Sequence, residues 1–173
     1  MDPAHVTARR PSVPRMGALS RGIGTPWQPF ERGQPALPVE LLGSILDRTA
    51  DAWLTVEPVP PAPEKSGWRK KQPKSAWSIT ISPYAQDESP HVLLYGTFPK
   101  GPAFADRGVA LPAWATVADS SRDDVTVEVP IDQPLDQVVG LAMAVLDGCS
   151  DAALGGQWRA ALGDTYTYNN RNN

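Results

Sequence analysis

Cysteine and histidine are nearly absent from this sequence of 173 residues, which holds one cysteine, Cys149, and two histidines, His5 and His91. A single cysteine cannot form a disulfide within the chain, and this favours a reducing compartment such as the cytoplasm. These three side chains also cannot supply the four nitrogen and sulfur ligands of a structural zinc site. We therefore expect neither a disulfide framework nor a zinc centre.

Long apolar runs are also missing. The longest, residues 138–146, covers about nine positions, whereas a membrane-spanning helix needs roughly 20. Near the N-terminus, Pro11, Pro14 and two glycines interrupt the stretch where a signal peptide would have its apolar core. The sequence predicts no membrane-spanning segment and no secretion signal.

Motifs of known catalytic and cofactor sites are lacking. No serine stands in a Gly-x-Ser-x-Gly elbow, and the stretch from Gly96 to Gly101 has the opening spacing of a phosphate loop but continues with Pro102 and Ala103 instead of Lys and Ser or Thr. We expect no cofactor and no enzymatic activity. An enzyme of unknown class stays an alternative, with His91 and Cys149 as its conceivable base and nucleophile.

Four acidic residues near position 124 supply the oxygen ligands that calcium or magnesium prefers. They are Asp119, Asp123, Asp124 and Glu128. The solvated tip of a hairpin explains the same residues without an ion, so we predict no metal site.

Proline, in contrast, is abundant, with 19 residues in the chain and seven of them in positions 1–38. Proline removes backbone donors and fixes φ, and this region shows neither a helical nor an alternating apolar pattern. Residues 1–37 are therefore predicted to form an extended arm rich in Pro and Arg. Trp27 and Phe30 within it either dock on a partner or cover the chain's own core.

Apolar periodicity begins at Pro38. It predicts a helix over 38–52, strands at 53–57, 76–82, 91–98, 114–118 and 125–129, a helix over 134–148 and a second C-terminal helix over 150–163. The last rests on Leu154, Trp158 and Leu162 at i, i+4 and i+8. The predicted fold is a single α+β domain over 38–164, with an N-terminal helix, an antiparallel sheet of four or five strands and two C-terminal helices packed on one face. Residues 165–173 are a polar tail.

The most unusual segment is Lys65 to Lys74, which carries five cations and no acid around Trp68. Such a segment can grip an acidic protein surface, contact nucleic acid, or form a solvated loop that keeps a sheet edge soluble. The residues predicted to bind a partner are Trp27, Phe30, Lys65, Trp68, Arg69, Lys70, Lys71 and Lys74.

Charge is distributed unevenly: residues 1–38 have a net charge of +3 and residues 112–173 a net charge of −6. This favours a non-enzymatic protein-binding or assembly module that contacts another protein or copies of itself. The abundance of Ala, Pro, Arg, Asp, Gly and Val is typical of a high-GC bacterium or its phage, which suggests a structural or accessory protein of the cytoplasm or the virion. A nucleic-acid-associated protein that uses the Trp68 loop is the alternative.

Overall fold

The computed structural model describes residues 24–46, 52–59, 77–84, 91–98, 102–149 and 156–164. Within these ranges the elements are β1 (Gln28–Glu31), α1 (Ala36–Leu46), β2 (Ala52–Pro58), β3 (Ser78–Tyr84), β4 (His91–Thr97), β5 (Thr116–Ser120), β6 (Asp124–Pro130), α2 (Leu135–Cys149) and β7 (Gln157–Asp164), with a 3-10 turn at Phe104–Arg107. The strands form one sheet in the order β1-β7-β2-β3-β4-β6-β5. Every neighbouring pair is antiparallel.

One face of the sheet is buried beneath the two helices. Leu162, Leu54, Ile81, Leu94 and Val127 stand in register across five strands, and the last four of these are fully buried. Side chains from α1 and α2 close this core from the other side, among them Leu42, Ile45, Val139, Val145 and Leu146. Burying each large aliphatic side chain stabilises the fold by about 1.5–3 kcal/mol before entropy is counted. The core therefore lies between the sheet and the helices.

The C-terminal end of α2 is held by Arg107. Its guanidinium donates hydrogen bonds to the carbonyl oxygens of Cys149, Pro102 (2.9 Å) and Phe98 (3.4 Å), and it lies 5.6 Å from the centre of the Phe98 ring. The last carbonyls of a helix lack partners within the helix and attract positive charge. Arg107 thus joins the end of α2 to the end of β4. In the described residues no helix is long and apolar enough to cross a membrane.

The prediction of two C-terminal helices is wrong, because residues 157–164 form the strand β7. Trp158 and Leu162 fit both a four-residue and a two-residue period, and burial of Ala160 between them shows that the period is two. Pairing with strands on both sides supplies the backbone hydrogen bonds that a helix would have made internally. Within the described residues there is therefore one helix before the central strands and one after them.

The predicted count of four or five strands is also wrong, since the described sheet has seven. Besides β7, the strand that the sequence pattern missed is β1, which lies within the stretch predicted as an extended arm. Proline at position 29 argued against a strand there, but β1 is an edge strand, where a missing N–H can face away from the sheet. The other five strands overlap their predicted ranges.

Candidate functional site

The sheet face opposite the helices, which we call the outer face, is the candidate site. At its centre are small hydroxyl side chains, and the hydroxyl oxygens of Thr55 and Thr80 lie 3.3 Å apart. Thr80 pairs with Tyr95, which is 47% exposed although it stands in the middle of the sheet. The alternation of the strands gives this face Trp53, Thr55, Glu57, Ser78, Thr80, Ser82, Leu93, Tyr95, Thr97, Asp124, Thr126, Glu128, Arg159, Ala161 and Gly163.

Three side chains at the β1 side of the outer face form a stack. The guanidinium carbon of Arg159 lies 4.5 Å from the centre of the Trp27 ring, and Nε of Arg159 donates a 2.7 Å hydrogen bond to Oε1 of Glu57. Glu57 and Arg159 stand directly opposite each other on β2 and β7. Trp27 is 40% exposed, whereas the side chains of Arg159 and Glu57 are 25% and 10% exposed. The ion pair therefore holds a cation beneath an indole ring that faces solvent.

Glu57 lies in an environment that opposes its charge. Burial raises the pKa of its carboxyl above the usual value, although the hydrogen bond and the positive charge of Arg159 act in the opposite direction. A partly buried ion pair is costly to desolvate. The presence of the pair between Glu57 and Arg159 is therefore weak evidence that it stabilises the fold. The geometric effect of the ion pair is to hold Arg159 under Trp27. An indole ring that is held in place loses less conformational entropy when it binds a partner.

Trp53 occupies the outer face beside this stack, lying against Gly163 on β7. A Cβ atom at position 163 would come within 2.5 Å of Nε1 of Trp53. Glycine is therefore required at this position for the packing of Trp53. The indole of Trp53 consequently packs directly against the backbone of β7 at Gly163.

The opposite side of the outer face is acidic. It is formed by the β5–β6 hairpin, which turns at Ser121, whose hydroxyl oxygen accepts hydrogen bonds from the backbone N–H groups of Asp123 (3.3 Å) and Asp124 (3.0 Å). Partial burial and the negative charge of Asp124, and to a smaller extent that of Asp119, raise the pKa of Tyr95. Within the described residues, no group of three or more His, Cys, Asp or Glu side chains is placed to hold a metal ion.

The predicted partner-binding residues divide into three groups. Trp27 lies on the outer face, as described above. Phe30 is 9% exposed and packs edge-on against Trp158 with ring centres 6.4 Å apart, so it covers the core, the second interpretation considered for it. Lys65, Trp68, Arg69, Lys70, Lys71 and Lys74 lie outside the described residues.

The sequence offered no signal for the partners of Trp27. Glu57 and Arg159 are separated by 102 residues, and neither belongs to a motif. Only the pairing of β2 with β7 places the two side chains together. That strand pair could not be predicted, because residues 157–163 belong to the predicted second C-terminal helix.

The conceivable catalytic pair is not brought together. His91 begins β4 at one end of the sheet, whereas Cys149 ends α2 beside the last residue after β4, Phe98. The seven residues of β4 separate the two positions by a distance of about 20 Å. A cleft of about 400 Å³ beside β1 and the start of α1 has one ionisable side chain, Glu31, in its lining.

No family model matches the chain, and no match is found among the curated proteins or the solved structures. The function is therefore argued from the outer face alone.

Proposed function

We propose that this chain is a non-enzymatic protein-binding module that recognises a second copy of itself through the outer face of the sheet. The observation that carries the proposal is the Trp27 indole, 40% exposed and held over Arg159 by the ion pair with Glu57. Tryptophan, tyrosine and arginine are the residues enriched at the centres of protein interfaces. All three types stand on this face, because Tyr95 is exposed at its middle.

A second copy is the favoured partner because the chain carries complementary charges. Its N-terminal 38 residues have a net charge of +3, and residues 112–173 have a net charge of −6. Complementary charges on two copies attract and set their relative orientation. The proposed location is the cytoplasm, on the ground that a chain with one cysteine relies on no disulfide.

The test is the mass of the full chain in solution, measured by sedimentation equilibrium over a range of concentrations. We expect self-association that weakens by about 30-fold in Trp27→Ala, since truncating a tryptophan that is an interface hot spot costs about 2 kcal/mol. Ile131→Ala is the matched control, because Ile131 is 41% exposed but lies in the turn that follows β6. It should leave the association unchanged.

Two outcomes would overturn the proposal. A chain that stays monomeric at every concentration does not bind itself, and the partner is then foreign. Equal weakening by Trp27→Ala and Ile131→Ala would mean that apolar exposure in general, and not the outer face, drives association. Nucleic acid as the partner would appear as binding of an oligonucleotide that weakens steeply as salt rises.

A further inference from the structure

The two edges of the sheet differ in their capacity to add another strand. At the β1 edge, Pro29 has no backbone N–H, and the carbonyl oxygen of Glu31 already accepts a 2.9 Å hydrogen bond from the N–H of Gln34. These features are typical of an edge that is protected against pairing. The β1 edge therefore offers few unpaired backbone N–H and C=O groups to an incoming strand.

In the described structure the β5 edge lacks these two features, although a register shift between Val117 and Asp119 interrupts its regular pairing with β6. All five residues of Thr116–Ser120 are exposed, none is proline, and β6 is the one described strand with which they pair. In an antiparallel sheet the N–H and C=O groups of alternate residues point away from the existing partner. An extended peptide can bind such an edge through its main chain, which is a common mode of peptide recognition.

Charge selects the kind of strand that this edge can accept. The hairpin residues 116–130 contain four acids and one arginine, a net charge of −3. Asp119 and Asp123 are both exposed. Pairing of two β5 edges would bring two such hairpins together and is opposed by repulsion, whereas a cationic segment is attracted.

We propose that the free edge of β5 adds an extended cationic segment as an eighth strand, and that residues 65–74 of a second copy supply it. This segment contains five cations and no acid, so its charge complements the hairpin. The inference shares with the proposed function the second copy as partner, but it concerns a different surface. The Trp27 stack lies on the β1 side of the sheet, and β5 is the strand at the opposite edge.

The probe is a synthetic peptide with the sequence of residues 65–74, added to the full chain labelled with ¹⁵N. We expect binding that slows amide hydrogen exchange at those residues of Thr116–Ser120 whose N–H groups point away from β6, because a strand that is added there covers these groups. Raising the ionic strength from about 0.05 M to about 0.5 M should weaken the binding by about tenfold, since exposed charges are screened.

Charge variants of the chain complete the test. The double variant Asp119→Asn, Asp123→Asn should bind the peptide about three- to tenfold more weakly. Asp132→Asn, Asp136→Asn is the matched control, with the same change in net charge on two exposed residues around the start of α2, and it should bind normally. Circular dichroism of both variants checks that each is folded.

The inference is overturned if the peptide does not bind, if it binds without protecting β5 amides, or if the two double variants lose affinity equally. Its failure is distinguishable from failure of the proposed function. Peptide binding at β5 does not require Trp27, and the effect of Trp27→Ala on self-association does not require the peptide.

Discussion

Replacing Gly163 by alanine tests the packing of the outer face most directly. The added Cβ would lie 2.5 Å from Nε1 and 2.6 Å from Cε2 of Trp53, closer than carbon atoms approach in folded proteins. The indole must therefore leave its position on the sheet. Since Trp53 is the residue directly opposite Gly163, no other side chain stands between them.

The expected cost follows from the area that the indole loses. A fully buried tryptophan removes about 200 Å² from water, so a half-buried one loses up to about 100 Å², or about 2.5 kcal/mol as an upper bound. Because the ring can rotate and keep some contact, we take about 1–2 kcal/mol as the cost of displacing the indole. Alanine in a strand regains about 0.5–1 kcal/mol relative to glycine. Gly163→Ala should thus lower the free energy of unfolding by about 1 kcal/mol.

The sign of the effect should reverse when the indole is absent. In a Trp53→Ala background, the space beside position 163 is empty, so Gly163→Ala should raise the free energy of unfolding by about 0.5–1 kcal/mol. Urea denaturation of the four proteins, followed by far-ultraviolet circular dichroism, gives the coupling energy between the two positions, expected at about 1.5–2 kcal/mol.

Gly140→Ala is the matched control for this cycle. A Cβ at Gly140, which is exposed on α2, would meet nothing within 4 Å. It should raise the free energy of unfolding by about 1 kcal/mol in both backgrounds, because alanine favours a helix over glycine. If Gly163→Ala also has the same sign and size in both backgrounds, Trp53 does not lie against Gly163 and the description of the outer face is wrong.

Two further substitutions test single contacts by urea denaturation. Because burial raises the pKa of Glu57, the folded state binds that proton more tightly than the unfolded state, and the contribution of Glu57 to stability falls as pH rises from 4.5 through the raised pKa. The free energy of unfolding of Glu57→Gln relative to the natural chain should therefore rise between about pH 4 and pH 7; the opposite trend would mean that Arg159 dominates. Arg107→Ala should lower the free energy of unfolding by about 1–3 kcal/mol, because it leaves the carbonyl oxygens of Cys149 and Phe98 without this donor. If the midpoint of urea denaturation is unchanged in Arg107→Ala, water replaces the guanidinium as the donor to these carbonyl oxygens.

Local apolar patterns in the sequence were sufficient to predict most of the helices and strands between positions 38 and 149. The α2 helix carries a long apolar stripe, and β3 alternates strictly through Ile79 and Ile81. The apolar period of α2 therefore fits only a helix, and that of β3 fits only a strand. Such elements are recognisable because the residues that decide them are close in sequence. They include the two helices that cover the core and five of the strands.

The two missed strands are the ones that depend on pairing between the ends of the domain. Trp158 and Leu162 are four residues apart, which fits both a helix and a strand, and Pro29 is unfavourable in every strand except one at an edge. Only the position of β7 between β1 and β2 resolves both cases. Trp27 could be singled out from composition alone, but Arg159 and Glu57 could not, because their contact is created by this pairing.

The same pairing extends the sheet to residues that precede the predicted start of the domain at residue 38. The backbone N–H of Thr25 donates a 3.1 Å hydrogen bond to the carbonyl oxygen of Leu162, and the N–H of Leu162 donates one of 3.0 Å to the Thr25 hydroxyl. Phe30 then packs on Trp158, so the chain from Thr25 onward belongs to the sheet. A shortened chain that begins at Pro38 would lose this strand together with Trp27, and a change in its association could not be assigned to an arm. A cut before Gly24 keeps β1 and the Trp27 stack, and so separates the role of the preceding residues from that of the outer face.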